Sequence, residues 1–179
     1  MHETTTDIAA ARIALSNGFK SGVAGSVGLD ELARIDSADV KQHWKTGYEH
    51  GRRHRTLAAG DLDEHAHQCL VFAWTQAMTP LRPELRLFFA VPNAGKRTPR
   101  QGAYMKAEGL RPGFVDFGVP TAQNGYHGLF IELKTSAGKL SPEQRQWLSD
   151  LNAEGYAARM CRGWLDAVDT IERYMDGLL

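Results

Sequence analysis

Cysteine is scarce in this chain. Cys69 and Cys161 are the whole complement in 179 residues. Two thiols so far apart make neither a metal-type cluster nor a disulfide framework, and they read as reduced, partly buried residues of a cytoplasmic protein. Net charge is missing altogether, since 21 basic residues balance 21 acidic ones. That balance excludes a histone-like or polybasic chain but leaves room for a local basic groove. No apolar run approaches the ~20 residues of a membrane-spanning helix, so no membrane partner is expected. The opening Met-His-Glu-Thr-Thr-Thr-Asp has no basic start and no apolar stretch, so no secretory signal is expected either.

Proline is absent up to Arg55, whereas all seven prolines fall from Leu57 onward. Strand-like runs begin on the same side of that line. The shift places a boundary at Thr56 to Gly60 and divides the chain into residues 1–57 and 58–179. In the first part, Ile8, Ala11, Leu15, Phe19 and Val23 recur at helical spacing. Gly18, Gly22 and Gly25 follow on neighbouring positions. Glycine costs about 1 kcal/mol in a helix interior, so three of them imply close approach of a second backbone. A second helix is expected from Asp36 or Ser37, carrying Val40, Trp44 and Tyr48 with Gly47 and Gly51 alongside. Arg52, Arg53 and Arg55 close it, where cations suit the helix dipole. The reading is a helical hairpin with a thin, glycine-lined seam.

The second part reads as mixed α/β. Expected are a helix over Leu62–Met78 capped by Asp61 or Asp63, a strand over Leu85–Val91, a short helix over Gln101–Glu108, and strands over Phe114–Val119 and Gly128–Thr135. Ser141-Pro142-Glu143 opens the next helix, with Ser as N-cap and Pro at the first helical position. Gly155 ends it. A strand over Tyr156–Cys161 and a helix over Leu165–Leu178 close the chain. The four tryptophans, Trp44, Trp74, Trp147 and Trp164, sit at helical positions and read as core rather than base-stacking residues.

The chemistry concentrates between Asn93 and Gln144. The run FVDFGV places Asp116 in mid-strand, and GLFIELKT places Glu132 and Lys134 two apart on one strand face. If these strands pair, the three residues converge on one edge of the sheet. Two neighbouring carboxylates repel unless a cation sits between them. Oxygen ligands of this kind suit Mg²⁺ or Mn²⁺, and a bound divalent ion activates water and polarises a phosphoryl oxygen. A lysine beside it orients that water or neutralises charge developing on phosphate. The sum is a phosphodiester hydrolase site. Between Gly95 and Arg111, the cations Lys96, Arg97, Arg100, Lys106 and Arg111 stand against one acid, Glu108. This stretch leads into the Asp116 strand and is the expected DNA contact, with Asn93 and Lys139 as lesser candidates.

Two resemblances follow. GFKSGVAG and HWKTGYEHG resemble ribosome modulation factor and its phage-borne relatives over roughly residues 8–55. That implies a ribosome contact, but the Cys-Pro-Tyr segment associated with that family between the two helices is replaced here by SVGLDELARIDSADV, so only the helical hairpin is carried over. VPNAGKRTPRQGAYMKAEGLRPGFVDFGVP with HGLFIELKTSAGKLSPEQRQWLSDLNAEGYAARMCRGWLDAV resembles the VRR-NUC nucleases of the PD-(D/E)xK superfamily, over about Leu62 to Tyr174. Val115-Asp116 stands for the superfamily's Pro-Asp. The resemblance implies a restriction-endonuclease-like αβββαβ core with a mixed sheet. It implies Asp116 and Glu132 as metal ligands, Lys134 as the catalytic lysine and Gln144 as a helper. It further implies a first-helix ligand at Glu64, with Asp61 and Asp63 standing nearby; His67 and Gln68, one turn on, share its face by helical spacing. It implies a divalent-metal-dependent, phage-encoded DNA endonuclease, dimeric and selective for branched DNA such as four-way junctions. A rival is a non-catalytic nucleic-acid-binding adaptor on a nuclease-like scaffold. A small sequence-specific restriction enzyme ranks behind it, since no sequence-reading element is visible.

Overall fold

The computed structural model describes residues 5–24, 38–54, 62–91 and 98–179. Two compact units result, Met1–Arg86 and Leu87–Leu179. The expected boundary near residue 57 lies inside the first of them.

In the first unit, helices α1 (Thr5–Ala24) and α2 (Ala38–Arg52) meet through glycine. A Cβ added to Gly18 would lie 2.1 Å from the Trp44 carbonyl oxygen, and one on Gly22 would lie 2.2 Å from that of Tyr48. From the other side, Cβ atoms on Gly47 and Gly51 would each come within 2.0 Å of a carbonyl, that of Leu15 and that of Phe19. These are backbone-to-backbone contacts that hydrogen alone permits. The glycine-lined seam is therefore present, but its sense differs from a hairpin. Contact positions rise together along both helices, so α1 and α2 run in the same direction.

Helix α3 (Glu64–Met78) packs on both. Asp63 is its N-cap, accepting the Ala66 N–H at 2.8 Å. The buried face carries Leu70, Val71, Trp74, Ala77 and Met78, and the Trp74 indole N–H donates to Ser16 Oγ at 3.0 Å. Arg12 Nε donates to the Leu81 carbonyl at 2.8 Å. His67 is half-buried, and burial lowers its pKa.

The expected strand over Leu85–Val91 is mostly something else. Pro83–Leu87 forms a turn of 3₁₀ helix, and only Phe89–Ala90 is strand (β1). Proline fixes φ near the helical value at the start of this segment, and Leu85 is buried from within the turn.

The second unit is a four-stranded mixed sheet in the order β1-β2-β3-β4. Strands β2 (Phe117–Val119) and β3 (Leu129–Lys134) pair antiparallel, and β3 pairs parallel with β4 (Ala157–Arg162). A parallel pair needs a crossover, supplied here by α5 (Pro142–Ala153). Ser141 and Gln144 close a capping box at its start. Helix α4 (Pro99–Ala107), capped by Thr98 and Gln101, lies between β1 and β2 in sequence, and α6 (Gly163–Met175) packs its apolar face on β3 and β4. The β3 residues Leu129, Ile131 and Leu133 are almost fully buried, as an interior strand requires. Cys161 is buried, and burial pushes its thiol pKa up to about 12. Both cysteines are free thiols. Trp44, Trp74 and Trp164 are core residues as expected, whereas Trp147 is only half-buried. Among the described residues, no helix is long and apolar enough to cross a membrane.

Candidate active site

The site grows from the two middle strands, β2 and β3. Their register pairs Phe117 with Ile131. One step further lie Asp116 and Glu132. Asp116 is not in mid-strand. It sits at a bend just ahead of β2, where its N–H reaches the Ile131 carbonyl at 3.0 Å. Its carboxylate Oδ2 accepts the Leu133 N–H at 2.8 Å. A short acidic side chain that bonds backbone in this way competes with the regular ladder, which accounts for the early end of the strand. The residues gather at one end of two interior strands and not on an edge of the sheet.

Glu132 is wholly buried, and it is surrounded by donors. Lys134 Nζ stands 2.7 Å from Glu132 Oε1, with the two side chains 8% and 1% exposed. The Gln144 amide donates to the same oxygen, while its own Oε1 accepts the Ser141 N–H at 2.9 Å. The capping box therefore fixes which way the glutamine amide faces. Lys134 Nζ also donates to the Leu133 carbonyl at 2.9 Å. Burying a charge is tolerable only when it is paired and hydrogen-bonded, and this cluster meets both conditions. Asp116, Glu132, Lys134 and Gln144 are thus brought together as the sequence suggested.

Several supports carry no sequence signal. Arg162 at the end of β4 donates through Nη1 to the carbonyls of Ser136 and Gly138, at 2.9 and 3.0 Å, and so holds the loop after Lys134. Gly138 leaves room for the Lys134 stem, since a Cβ there would lie 3.1 Å from Lys134 Cβ and Cδ. Helix α5 is pinned to the approach to Asp116. The Trp147 indole N–H donates to the Pro112 carbonyl at 3.1 Å, and its ring meets Phe114 edge-on at 4.8 Å. Gly113 adopts φ +74°, and a Cβ there would press on Glu143 Cβ at 2.7 Å. Trp147 is three residues from Gln144, and Phe114 is two from Asp116, so this joint sets the spacing between the two halves of the site.

The other candidates are more scattered. Arg100, Lys106, Arg111 and Lys139 are exposed. The Arg100 guanidinium lies over the Tyr104 ring, 5.5 Å from its centroid. Asn93, Lys96 and Arg97 lie outside the described residues. Glu64 is the exposed first residue of α3, in the first unit. Among the described residues no three of His, Cys, Asp and Glu gather into a metal cage. A cation at this site would rest on Asp116 and Glu132. That donor set fits Mg²⁺ or Mn²⁺, which take hard oxygen ligands, and Mg²⁺ characteristically keeps several waters beside one or two carboxylates.

A solved structure, a VRR_NUC domain protein, is 25% identical to this chain, with a TM-score of 0.56 over 66% of this chain and 92% of its own. No curated protein matches the chain. The family model for the VRR-NUC domain matches residues 53–164, a stretch that holds α3, the whole mixed sheet, and the Asp116, Glu132, Lys134 and Gln144 cluster. The chain belongs to the VRR-NUC domain family, whose members are generally nucleases.

Proposed function

We propose that the protein is a divalent-metal-dependent DNA endonuclease that hydrolyses phosphodiester bonds and prefers branched DNA. The observation that carries this reading is the buried Glu132, held by Lys134 and Gln144 and set beside Asp116 at one end of the sheet. Asp116 and Glu132 are the residues that would hold Mg²⁺ or Mn²⁺, and the ion when bound supplies an activated water and charge for the phosphoryl oxygen. Lys134 brings a positive charge to the scissile phosphate, worth most in a site screened from water. Gln144 keeps the Glu132 carboxylate in one orientation. The exposed cations Arg100, Lys106 and Arg111 supply phosphate contacts along the incoming strand.

A cleavage centre of this kind cuts one strand, whereas a four-way junction presents two symmetric strands. A two-fold homodimer is therefore the economical arrangement. In this reading the enzyme is cytoplasmic and phage-borne. The test is cleavage of a panel of linear, nicked, flapped and four-way DNAs with Mg²⁺, Mn²⁺ and EDTA, alongside light scattering. Cutting of branched substrates in metal, silence in EDTA and twice the monomer mass are expected. Equal rates on plain duplex and junction would remove the structure selectivity, and cutting in EDTA would remove the metal.

A further inference from the structure

A second feature flanks the joint between α5 and the Pro112–Gly113 turn. A surface pocket of about 290 Å³ is lined by Arg111, Pro112, Glu143, Gln146, Trp147 and Asp150. Its size lies near the lower end of the ~300–1,000 Å³ of small-molecule sites. Four of the lining residues, at 143, 146, 147 and 150, follow one face of α5. Glu143 is the immediate sequence neighbour of Gln144 on α5.

The lining chemistry narrows the occupant. Trp147 and Pro112 offer flat apolar surface, and Trp147 is the tryptophan that the core leaves half-exposed. Its ring is held by the Pro112 carbonyl and by the edge-on contact with Phe114. Glu143 and Asp150 against Arg111 give one net negative charge, which opposes a phosphate inside the pocket. A neutral ring bearing N–H groups suits it instead. The Gln146 amide donates to Asp150 Oδ1 at 2.8 Å and so orients that carboxylate. Ser141 Oγ–H donates to Glu143 Oε2 at 2.8 Å, which lowers the Glu143 pKa and keeps the group ionised.

We infer that this pocket receives a single unpaired nucleobase of the DNA substrate, stacked on Trp147, with guanine preferred. Guanine's Watson–Crick edge presents two adjacent N–H donors to a carboxylate, and enzymes commonly read extruded bases through that edge and by stacking. Arg111 at the rim takes the adjoining backbone phosphate. This deepens the nuclease reading and rests on it, because it supplies a reason for a preference for branch points, where unpaired bases occur.

The experiment measures binding apart from cleavage. Full-length Asp116→Asn protein is titrated, by fluorescence anisotropy, with duplexes carrying one bulged guanine, one bulged thymine, one bulged abasic site or no bulge. Guanine should bind about 5- to 150-fold more tightly than thymine, the range of one bidentate base contact. The abasic bulge should bind no better than plain duplex. Adding Asp150→Asn with Glu143→Gln should erase the guanine preference while plain duplex binding holds. These exposed isosteric changes leave the backbone joint untouched, so folding is preserved. Equal affinity for guanine and abasic bulges, or a preference that survives both substitutions, overturns the pocket. Wild-type protein assayed for cleavage in Mg²⁺ separates the two ideas. Base preference without cleavage overturns the nuclease reading alone, and cleavage without base preference overturns the pocket alone.

Discussion

In the first unit two helices touch through residues that have no side chain. In the second, a strand and its neighbours meet through side chains that carry full charge. The seam at Gly18, Gly22, Gly47 and Gly51 brings carbonyl oxygens to where a Cβ would be. The cluster at Glu132 brings an ammonium within 2.7 Å of a carboxylate in a buried setting. Both are close approaches, but they are vulnerable to opposite changes. Adding one carbon breaks the seam, whereas removing one charge breaks the cluster. The difference is one of purpose. The seam makes contact area and nothing reactive, while the cluster keeps charges poised at a cost in stability that a hydrophobic replacement would avoid.

The largest expected effect tests the cluster. Asp116→Ala or Glu132→Ala should abolish DNA cleavage while leaving DNA affinity within a few-fold of wild type. A nicking assay beside a binding titration checks this, and wild-type rates in either variant would take the chemistry away from these strands. Next comes Lys134→Met, which should lower turnover by about 10²–10³, the usual loss for one electrostatic donor. Metal affinity, measured by calorimetry, should change far less than turnover. Because the substitution removes a positive charge from beside the buried Glu132, circular dichroism must show an intact fold before the rate is read.

Much of this was legible in the sequence, for reasons that can be named. Glu132 and Lys134 share a face because strand side chains alternate, and that alternation is visible in GLFIELKT. The start of α5 was legible because caps are local, with Ser141, Pro142 and Gln144 all within one turn. Glycine spacing on α1 and α2 revealed which faces meet but not in which sense, since a parallel and an antiparallel pair use the same spacing. The apolar run at Leu85–Val91 could not separate strand from turn, because Pro83 acts through φ and not through hydrophobicity. Trp147 looked like core at a helical position, yet Pro112 and Phe114 cover only part of it. That is a tertiary fact. Arg162 gathers its carbonyls across 24 and more residues of sequence, so no local pattern marks it.

Two glycine substitutions sharpen the comparison from the other side. Gly47→Ala should destabilise the chain by about 1–3 kcal/mol, because its Cβ meets a backbone carbonyl that cannot rotate away. Chemical denaturation followed by helix signal checks it, and a neutral result would mean that α1 and α2 part easily.

The smallest effect is expected at Gly102, in the middle of α4 within the second unit. A Cβ there meets nothing within 4 Å. Unlike the seam glycines, it has no packing reason among the described residues, so Gly102→Ala should stabilise by about 0.5–1 kcal/mol through helix propensity alone. The same denaturation experiment reads this as a higher midpoint with an unchanged slope. Helix α4 also carries Arg100 and Lys106, both exposed, and a glycine beside cations can serve a partner's backbone as Gly47 serves that of α1. The DNA affinity of Gly102→Ala therefore decides which kind of glycine this is. Unchanged affinity with the gain in stability is the expected result and marks it as spare. A loss of affinity alongside that gain would put the DNA backbone against this face of α4, and would give the second unit a glycine contact of the same kind as the first, made with the substrate instead of with a helix.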